Sequence, residues 1–111
     1  MEKKYRVKKK DEIDAIISDK KSKGNKFFVI YNKENIYEHP RFAISIGKKY
    51  GSSVKRNKIK RQIRYALRQI ENMQPKDYVI VVRPNASELS YQEIEKNLEN
   101  LINKKETETK K

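Results

Sequence analysis

The sequence predicts an α+β domain in which helices pack against a small sheet. Three observations predict this class. Apolar residues recur with a helical period in three segments, and strand-like apolar runs lie between those segments. Leu, Ile, Val and Phe make up 26 of the 111 residues, which exceeds the roughly 20% below which charged chains stay disordered. A chain of this length accommodates one domain, which we expect over residues 1–103 in the order α-β-β-(β)-α-β-α, the bracketed strand being optional.

The first predicted elements are a short helix and two strands. Residues 11–18 place three isoleucines on one helical face, and the acids at their start suit a helix N-terminus. Residues 26–31 form a β-rich run that contains Phe27 and Phe28. Residues 41–47 alternate apolar and small or polar positions, as a half-buried strand does. We predict that these two strands pair antiparallel.

A second helix and a buried strand follow. Residues 51–53, Gly-Ser-Ser, form a helix start, because a serine hydroxyl accepts a hydrogen bond from a free backbone N–H. The helix is expected to run to about Ile70, and Pro75 prevents its continuation. Residues 78–82 are continuously apolar, which suits a strand covered on both faces. A strand–helix–strand unit of this length predicts that the two strands are parallel.

The last predicted helix has a complete start signal. Ser90 and Glu93 have the spacing of a capping box, and Leu89 and Ile94 have that of a hydrophobic staple. Residues 104–111 contain no apolar side chain, and we expect this charged tail to fray.

Composition excludes several classes of protein. The chain has no cysteine, which excludes disulfide scaffolds, thiolate zinc sites and cysteine nucleophiles. No apolar run approaches the roughly 18 residues of a membrane span, and no apolar segment follows the basic N-terminus as in a secretory signal. We expect a cytoplasmic protein without a membrane partner.

The net charge predicts a polyanionic partner. Lys and Arg number 28 against 15 Asp and Glu, which gives a formal charge of +13. Between Glu38 and Glu71 there is no acid, while ten basic residues fall in that stretch. Such a distribution is typical of proteins that bind RNA, DNA or an acidic membrane surface.

The second helix carries the most informative pattern. At about 100° per residue, Asn57, Arg61, Arg64 and Arg68 fall on one stripe beside the apolar face, and Lys60 flanks them. Guanidinium groups suit phosphate because their planar fork donates two parallel hydrogen bonds. A solvated helix face normally mixes charges of both signs, since like charges at this spacing cost stability. The stripe therefore predicts nucleic-acid binding over an acidic protein, a membrane surface or a merely solvated face.

The segment around this stripe resembles the arginine- and asparagine-rich signature of the bacterial ribonuclease P protein subunit. The residues that carry the resemblance are Lys48-Lys49, Gly51, Val54, Arg56-Asn57, Lys60-Arg61 and Arg64. The resemblance extends over almost the whole chain, from residue 5 to the start of the last helix. It implies an RNA-binding subunit without catalytic residues, inactive alone, which helps a catalytic RNA to remove the 5′ leader from precursor tRNA. It also implies a left-handed crossover in the strand–helix–strand unit, whereas general rules favour the right-handed form.

The resemblance also implies partners, a cofactor and two sites. The partners are the catalytic RNA and the precursor tRNA leader, with no obligate protein partner. Magnesium ions serve the holoenzyme and are held mainly by the RNA, and the protein strengthens their binding. The residues expected at the catalytic RNA, with the neighbouring cations added, are Lys48, Lys49, Arg56, Asn57, Lys60, Arg61, Arg64 and Arg68. Those expected to line a cleft for the leader are Ile13, Ile17, Phe28, Ile30 and Tyr31.

The chain departs from the family pattern at two places. Ile13 and Ile17 stand where the family often has aromatic residues, and isoleucine cannot stack on a base. Tyr65 follows Arg64 where an acid is common, which makes the helix more basic. The choice of Phe28 over Phe27 for the cleft depends on strand register, because a shift of one residue exchanges the two faces.

No residue set in the sequence meets the requirements of phosphodiester hydrolysis by the protein itself. His39 is the only histidine, and the acids of residues 11–14 are explained by a helix start. Two other functions stay open from the residues alone. One is a structural RNA-binding protein, such as a small ribosomal protein. The other is a DNA-binding module with the basic helix in a major groove.

Overall fold

A four-stranded mixed sheet carries helices on both of its faces. The structure is a computed structural model that describes residues 5–19, 21–71 and 73–103, so the tail predicted at 104–111 lies outside the described residues. The elements are α1 (Lys10–Ser18), β1 (Ser22–Gly24), β2 (Phe28–Glu34), β3 (Arg41–Ile46), α2 (Ser53–Gln69), β4 (Lys76–Val82) and α3 (Tyr91–Asn103). Short 3₁₀ turns occupy Lys48–Tyr50 and Pro84–Glu88. The α+β class and the order of elements agree with the prediction, and β1 is the optional strand, placed before the other three.

The strand order is β1-β2-β4-β3, which corrects the predicted pairing of β2 with β3. Instead β4 lies between them, antiparallel to β2 and parallel to β3. The reason lies in the composition of β4, whose continuous apolar run can be covered on both faces and is suited to a central position. The parallel pair joined by α2 agrees with the prediction.

The strand–helix–strand unit crosses over with a left hand. The side chain of Phe42 packs in the core with α2, and its carbonyl accepts a 2.8 Å hydrogen bond from the Val7 N–H, on the edge of β3 away from β4. For an L-residue viewed from its side-chain side with the chain running upward, the backbone N–H and C=O point to the right. Seen from α2, β4 therefore lies to the left of β3, which makes the crossover left-handed. This is the form that the resemblance implies and the exception to the general rule.

The larger core lies between the sheet and helices α2 and α3. Alternate residues of β2, β3 and β4 point into it, as the period of two requires. Its buried members include Phe28, Ile30, Phe42, Tyr78, Ile80 and Val82 from the strands, and Ile59, Ile63, Leu67, Ile94, Leu98 and Leu101 from the helices. Burial of apolar surface on this scale supplies most of the stability of such a small domain.

Among the described residues, α1 and the N-terminal segment cover the other face of the sheet. Ile16 of α1 is buried against Val79 of β4 and Val7 of the N-terminal segment. Because α1 has only nine residues, it leaves the rest of this face partly open. A groove beside α1 is the result.

The predicted caps are present. The Ser52 hydroxyl accepts a hydrogen bond from the Lys55 N–H at 3.3 Å and starts α2. At α3 the Ser90 hydroxyl accepts from the Glu93 N–H at 3.2 Å, while the Glu93 carboxylate accepts from the Ser90 N–H at 2.9 Å. Within the described residues, no helix has both the length and the apolar character that crossing a membrane requires.

Candidate nucleic-acid interface

The polar side of α2 presents the cations that the sequence predicts. Asn57, Arg61 and Arg68 are exposed, whereas Arg56, Lys60 and Arg64 are partly covered at the edge of the stripe. Lys48 and Lys49 are exposed on the 3₁₀ turn that leads into α2. The structure therefore brings all eight predicted residues to one helix and the turn before it.

The cations of α2 have no carboxylate partner among the described residues. Both ion pairs found there belong to Arg41, which contacts Glu12 and Asp77. Arg56 donates a 3.2 Å hydrogen bond to the Ser53 hydroxyl, and its Nε is buried without a hydrogen-bond partner. Uncompensated positive charge along one helix face attracts a polyanion with regularly spaced charges.

Arg64 shares a groove with Arg6, a residue that sequence reasoning did not select. The groove has a volume of about 350 Å³ and is lined also by Lys8, Ile13 and Ala43. Burial and the positive charge of Arg6 together lower the pKa of Arg64. The Nε of Arg6 is buried without a hydrogen-bond partner. Two guanidinium groups in one groove repel each other. A phosphate bound by both would neutralise their charges, so the groove favours phosphate binding.

The missed residue had only a weak signal in the sequence. Arg6 belongs to the basic N-terminal run, but nothing in that run distinguishes it from its lysine neighbours. What selects Arg6 is its isolated parallel bridge with Phe42 on the free edge of β3. That bridge is a long-range contact, and it fixes the backbone of Arg6 at the rim of the groove.

The surface beside α1 holds three of the five residues predicted for the leader cleft. Ile13, Ile17 and Tyr31 are partly buried there and pack near Ala43 and Val81. These side chains form a partly exposed apolar surface, and Ile13 also lines the groove that holds Arg6, Lys8 and Arg64. Such a surface suits a single-stranded chain whose bases contact apolar groups and whose phosphates contact cations.

The assignment of Phe28 and Ile30 to this cleft is wrong. Both are core residues on the opposite face of the sheet, where Phe28 is 0% and Ile30 is 2% exposed. Strand alternation places Ile30 and Tyr31 on opposite faces, so they cannot line one cleft. The alternative residue Phe27 also packs against the α2–α3 core. The cleft of this chain therefore has Tyr31 as its one aromatic side chain from β2.

Arg41 is removed from the basic surface by a bidentate ion pair. Its Nε and Nη2 donate to Asp77 at 2.9 and 2.7 Å, and Nη2 also contacts Glu12 at 3.3 Å. The hydrogen bond with Asp77 raises the pKa of Arg41. Asn35 donates to Asp77 at 2.8 Å and completes the cluster. The cluster joins β3, β4 and α1, so its role is structural.

The described residues contain no group of three or more His, Asp or Glu side chains placed to hold a metal ion. His39 packs between the rings of Tyr5 and Tyr37, at centroid distances of 5.0 and 5.7 Å. The candidate site is thus a surface of cations and apolar side chains.

Comparison with known proteins agrees with this geometry. The sequence model of the ribonuclease P family matches residues 1–106. The ribonuclease P protein component of Acholeplasma laidlawii is 43% identical over 104 residues, covering 92% of this chain and 90% of that protein. The corresponding protein of Streptococcus gordonii is 44% identical over 99 residues, covering 88% and 83%.

Solved structures give the same answer at the level of the fold. A Staphylococcus aureus RNase P protein, described as a mutant with defective mRNA degradation activity, superposes with a TM-score of 0.84 at 36% identity, covering 91% of this chain and 87% of that chain. The RNase P protein of Thermotoga maritima superposes with a TM-score of 0.80 at 25% identity, covering 87% and 94%. With its basic helix, its left-handed crossover and these relatives, the chain belongs to the ribonuclease P protein family.

Proposed function

We propose that this chain is the RNA-binding subunit of ribonuclease P and that it assists a catalytic RNA in removing the 5′ leader of precursor tRNA. Family membership gives the chain a role in tRNA 5′ processing and an RNA partner. The single observation that carries the finer proposal is the row of α2 cations without a carboxylate partner among the described residues.

In this proposal the two faces of the sheet bind different RNA segments. The exposed side of α2 binds the catalytic RNA through Asn57, Arg61 and Arg68, with Lys48 and Lys49 extending the contact. A guanidinium group binds a phosphate through two parallel hydrogen bonds, and phosphate contacts of this kind fix the register of a protein on a nucleic acid.

The partly exposed apolar surface beside α1 receives the leader. Ile13, Ile17 and Tyr31 supply its apolar wall, and a single strand fits because its bases are free to leave a stack. The groove lined by Arg6 and Arg64 lies at the edge of β3, with Ile13 of α1 and Arg64 of α2 both in its lining, so a phosphate held there connects the two bound RNA segments.

The chemistry belongs to the RNA in this proposal. We assign the magnesium ions of the holoenzyme to the RNA, as the resemblance to the ribonuclease P protein subunit implies. The protein strengthens magnesium and substrate binding by fixing phosphates near the scissile bond, and it has no activity alone. We place the complex in the cytoplasm, with no membrane partner and no obligate protein partner.

The test is cleavage of a precursor tRNA that carries a 5′ leader. The protein is combined with a bacterial ribonuclease P RNA at low, near-physiological magnesium, beside RNA-only and protein-only controls. We expect cleavage at the mature 5′ end only when both are present. Tight RNA binding without rescue of cleavage would support a structural RNA-binding protein instead, and cleavage by the protein alone would contradict the division of labour.

A further inference from the structure

Helix α2 exposes apolar side chains among its cations. Four large apolar residues of the described chain are markedly exposed, and two of them, Val54 and Tyr65, lie on α2 with 78% and 55% of their surface accessible. A helix that binds only phosphates has no use for an exposed aromatic ring at its RNA-facing side. The position of Tyr65 therefore needs its own explanation.

Tyr65 stands between two guanidinium groups. Arg61 precedes it by four residues and Arg68 follows it by three, the spacings at which helical side chains are neighbours. At about 100° per residue, Tyr65 lies roughly 40° from Arg61 around the helix axis. The ring thus borders the phosphate-binding stripe on the side that faces α3.

The ring of Tyr91 packs against the ring of Tyr65. The centroid of Tyr91, the first residue of α3, lies 5.7 Å from that of Tyr65, with an angle of 51° between the rings. Tyr91 is half-buried and packs against the main core. The contact holds Tyr65 in place while leaving more than half of it open to solvent, which is the condition for stacking on an incoming flat group.

The charge around the pair changes sign from one helix to the other. On the α3 side, burial and the carboxylate of Glu95 raise the pKa of Tyr91, and Glu93 occupies the first turn of α3. A phosphate is attracted by Arg61 and Arg68 but repelled by these acids. A neutral aromatic group that contacts the Tyr65 ring is not repelled by these acids. The phosphates attached to such a group can then stay on the α2 side, beside Arg61 and Arg68.

We propose that Tyr65, supported by Tyr91, is a stacking platform for an unpaired nucleobase of the RNA bound to α2. Arg61 and Arg68 hold the phosphates on either side of that nucleotide. The inference rests on the proposed function, since it takes a structured RNA as the partner. It adds that the bound RNA has a base out of its helix at this position, and that part of the affinity does not depend on charge.

The test compares Tyr65→Phe, Tyr65→Leu and Tyr65→Ala with the wild type. The affinity for a bacterial ribonuclease P RNA is measured at several salt concentrations, and urea unfolding of each free protein is followed in the same buffer. Ile36→Ala is the matched control, because it removes an exposed apolar side chain from the segment between β2 and β3, outside α2.

We expect Tyr65→Phe to bind as the wild type does, because the π face is kept. Tyr65→Ala and Tyr65→Leu are expected to weaken binding by about tenfold, within the range of roughly 5- to 150-fold known for loss of one stacked base. The slope of log affinity against log salt should stay unchanged, because stacking releases no counterions. Ile36→Ala should leave affinity unchanged.

Three results would overturn the inference. They are equal binding by all Tyr65 variants, equal weakening by Tyr65→Phe and Tyr65→Ala, or a reduced salt slope in Tyr65→Ala. If Tyr65→Ala unfolds, Tyr65→Leu decides the matter, because it retains an apolar contact with Tyr91. Failure of the wild-type protein to bind the RNA would instead refute the proposed function, and the inference with it.

Discussion

Arg41 and Asp77 join the starts of two parallel strands through a bidentate ion pair, with donor–acceptor distances of 2.9 and 2.7 Å. Arg41 begins β3, and Asp77 lies directly opposite it near the start of β4. Both side chains are about nine-tenths buried, at 11% and 10% exposure. The pair fixes the register of the strands that α2 connects.

Removal of Asp77 is expected to destabilise the fold strongly. Asp77→Ala leaves the Arg41 charge buried without its main partner, and such losses cost about 3–5 kcal/mol. The measurement is the free energy of unfolding by urea at fixed sulfate concentration. Asp14→Ala, which removes an exposed acid from α1, is the control and should change stability by less than about 0.5 kcal/mol. Equal effects of the two substitutions would refute a structural role for the pair.

The stripe on α2 predicts a defined change in salt dependence. Arg61→Ala combined with Arg64→Ala should weaken RNA binding and reduce the slope of log affinity against log salt by up to about two, if each guanidinium contacts one phosphate. The charge-matched control is Lys76→Ala with Lys96→Ala, since these lysines lie on β4 and α3. An unchanged slope in the arginine variant would place both side chains off the interface.

The groove shared by Arg6 and Arg64 predicts stabilisation by anions. We expect sulfate to bind the native state there, which would stabilise it by mass action and relieve the repulsion between the two guanidinium groups. The melting temperature should rise with sulfate at constant ionic strength, and Arg6→Ala should show a smaller rise. Chloride at the same ionic strength is the reference condition. A rise of the same size in both proteins would locate the anion effect elsewhere.

The leader cleft predicts a specific substrate effect at Tyr31. Tyr31→Ala should lower the affinity of the holoenzyme for precursor tRNA with a leader and leave its affinity for mature tRNA unchanged. Tyr31→Phe should retain the wild-type ratio of the two affinities, because a ring stacks without its hydroxyl. Equal losses for both RNAs would show that Tyr31 acts on the fold or on the tRNA body.

The buried phenol of Tyr78 predicts that the stability of the fold falls at high pH. Burial raises the pKa of its phenol from 10.0 to about 12, and the hydroxyl donates to the Gln74 carbonyl at 3.2 Å. The native state therefore holds the proton more tightly than the unfolded chain does. The contribution of the protonated Tyr78 phenol to the free energy of unfolding is therefore complete below pH 10 and is lost as the pH rises toward 12. The urea midpoint should fall over that range, and more steeply than in Tyr78→Phe, which lacks the ionisable group.

Local signals in the sequence were sufficient to predict the three helices and the strands β2, β3 and β4. The Ser52 cap, the Ser90–Glu93 box and the apolar run of β4 each depend on residues close together in the chain, so their chemistry could be read directly. The alignment of the α2 cations on one stripe was predictable for the same reason, because it depends only on their spacing along the helix.

Long-range pairing was not predictable in the same way. The position of β4 between β2 and β3 depends on how α2 crosses the sheet, and no local pattern encodes the hand of that crossing. Alternation shows that Phe28 and Ile30 share a face but does not say which helix covers it. Arg6 acquires its place only through the bridge to Phe42.

The central position of β4 has a consequence for the synthesis of the chain. β2 and β3 both pair with β4 and not with each other, so a nascent chain that ends before Lys76 has only the short β1–β2 pairing and the Arg6–Phe42 bridge available. The edges of β2 and β3 that pair with β4 then stay unpaired until β4 has left the ribosome. Folding of the sheet is therefore a late and concerted event, in which a premature stop or a long pause before β4 exposes aggregation-prone strands.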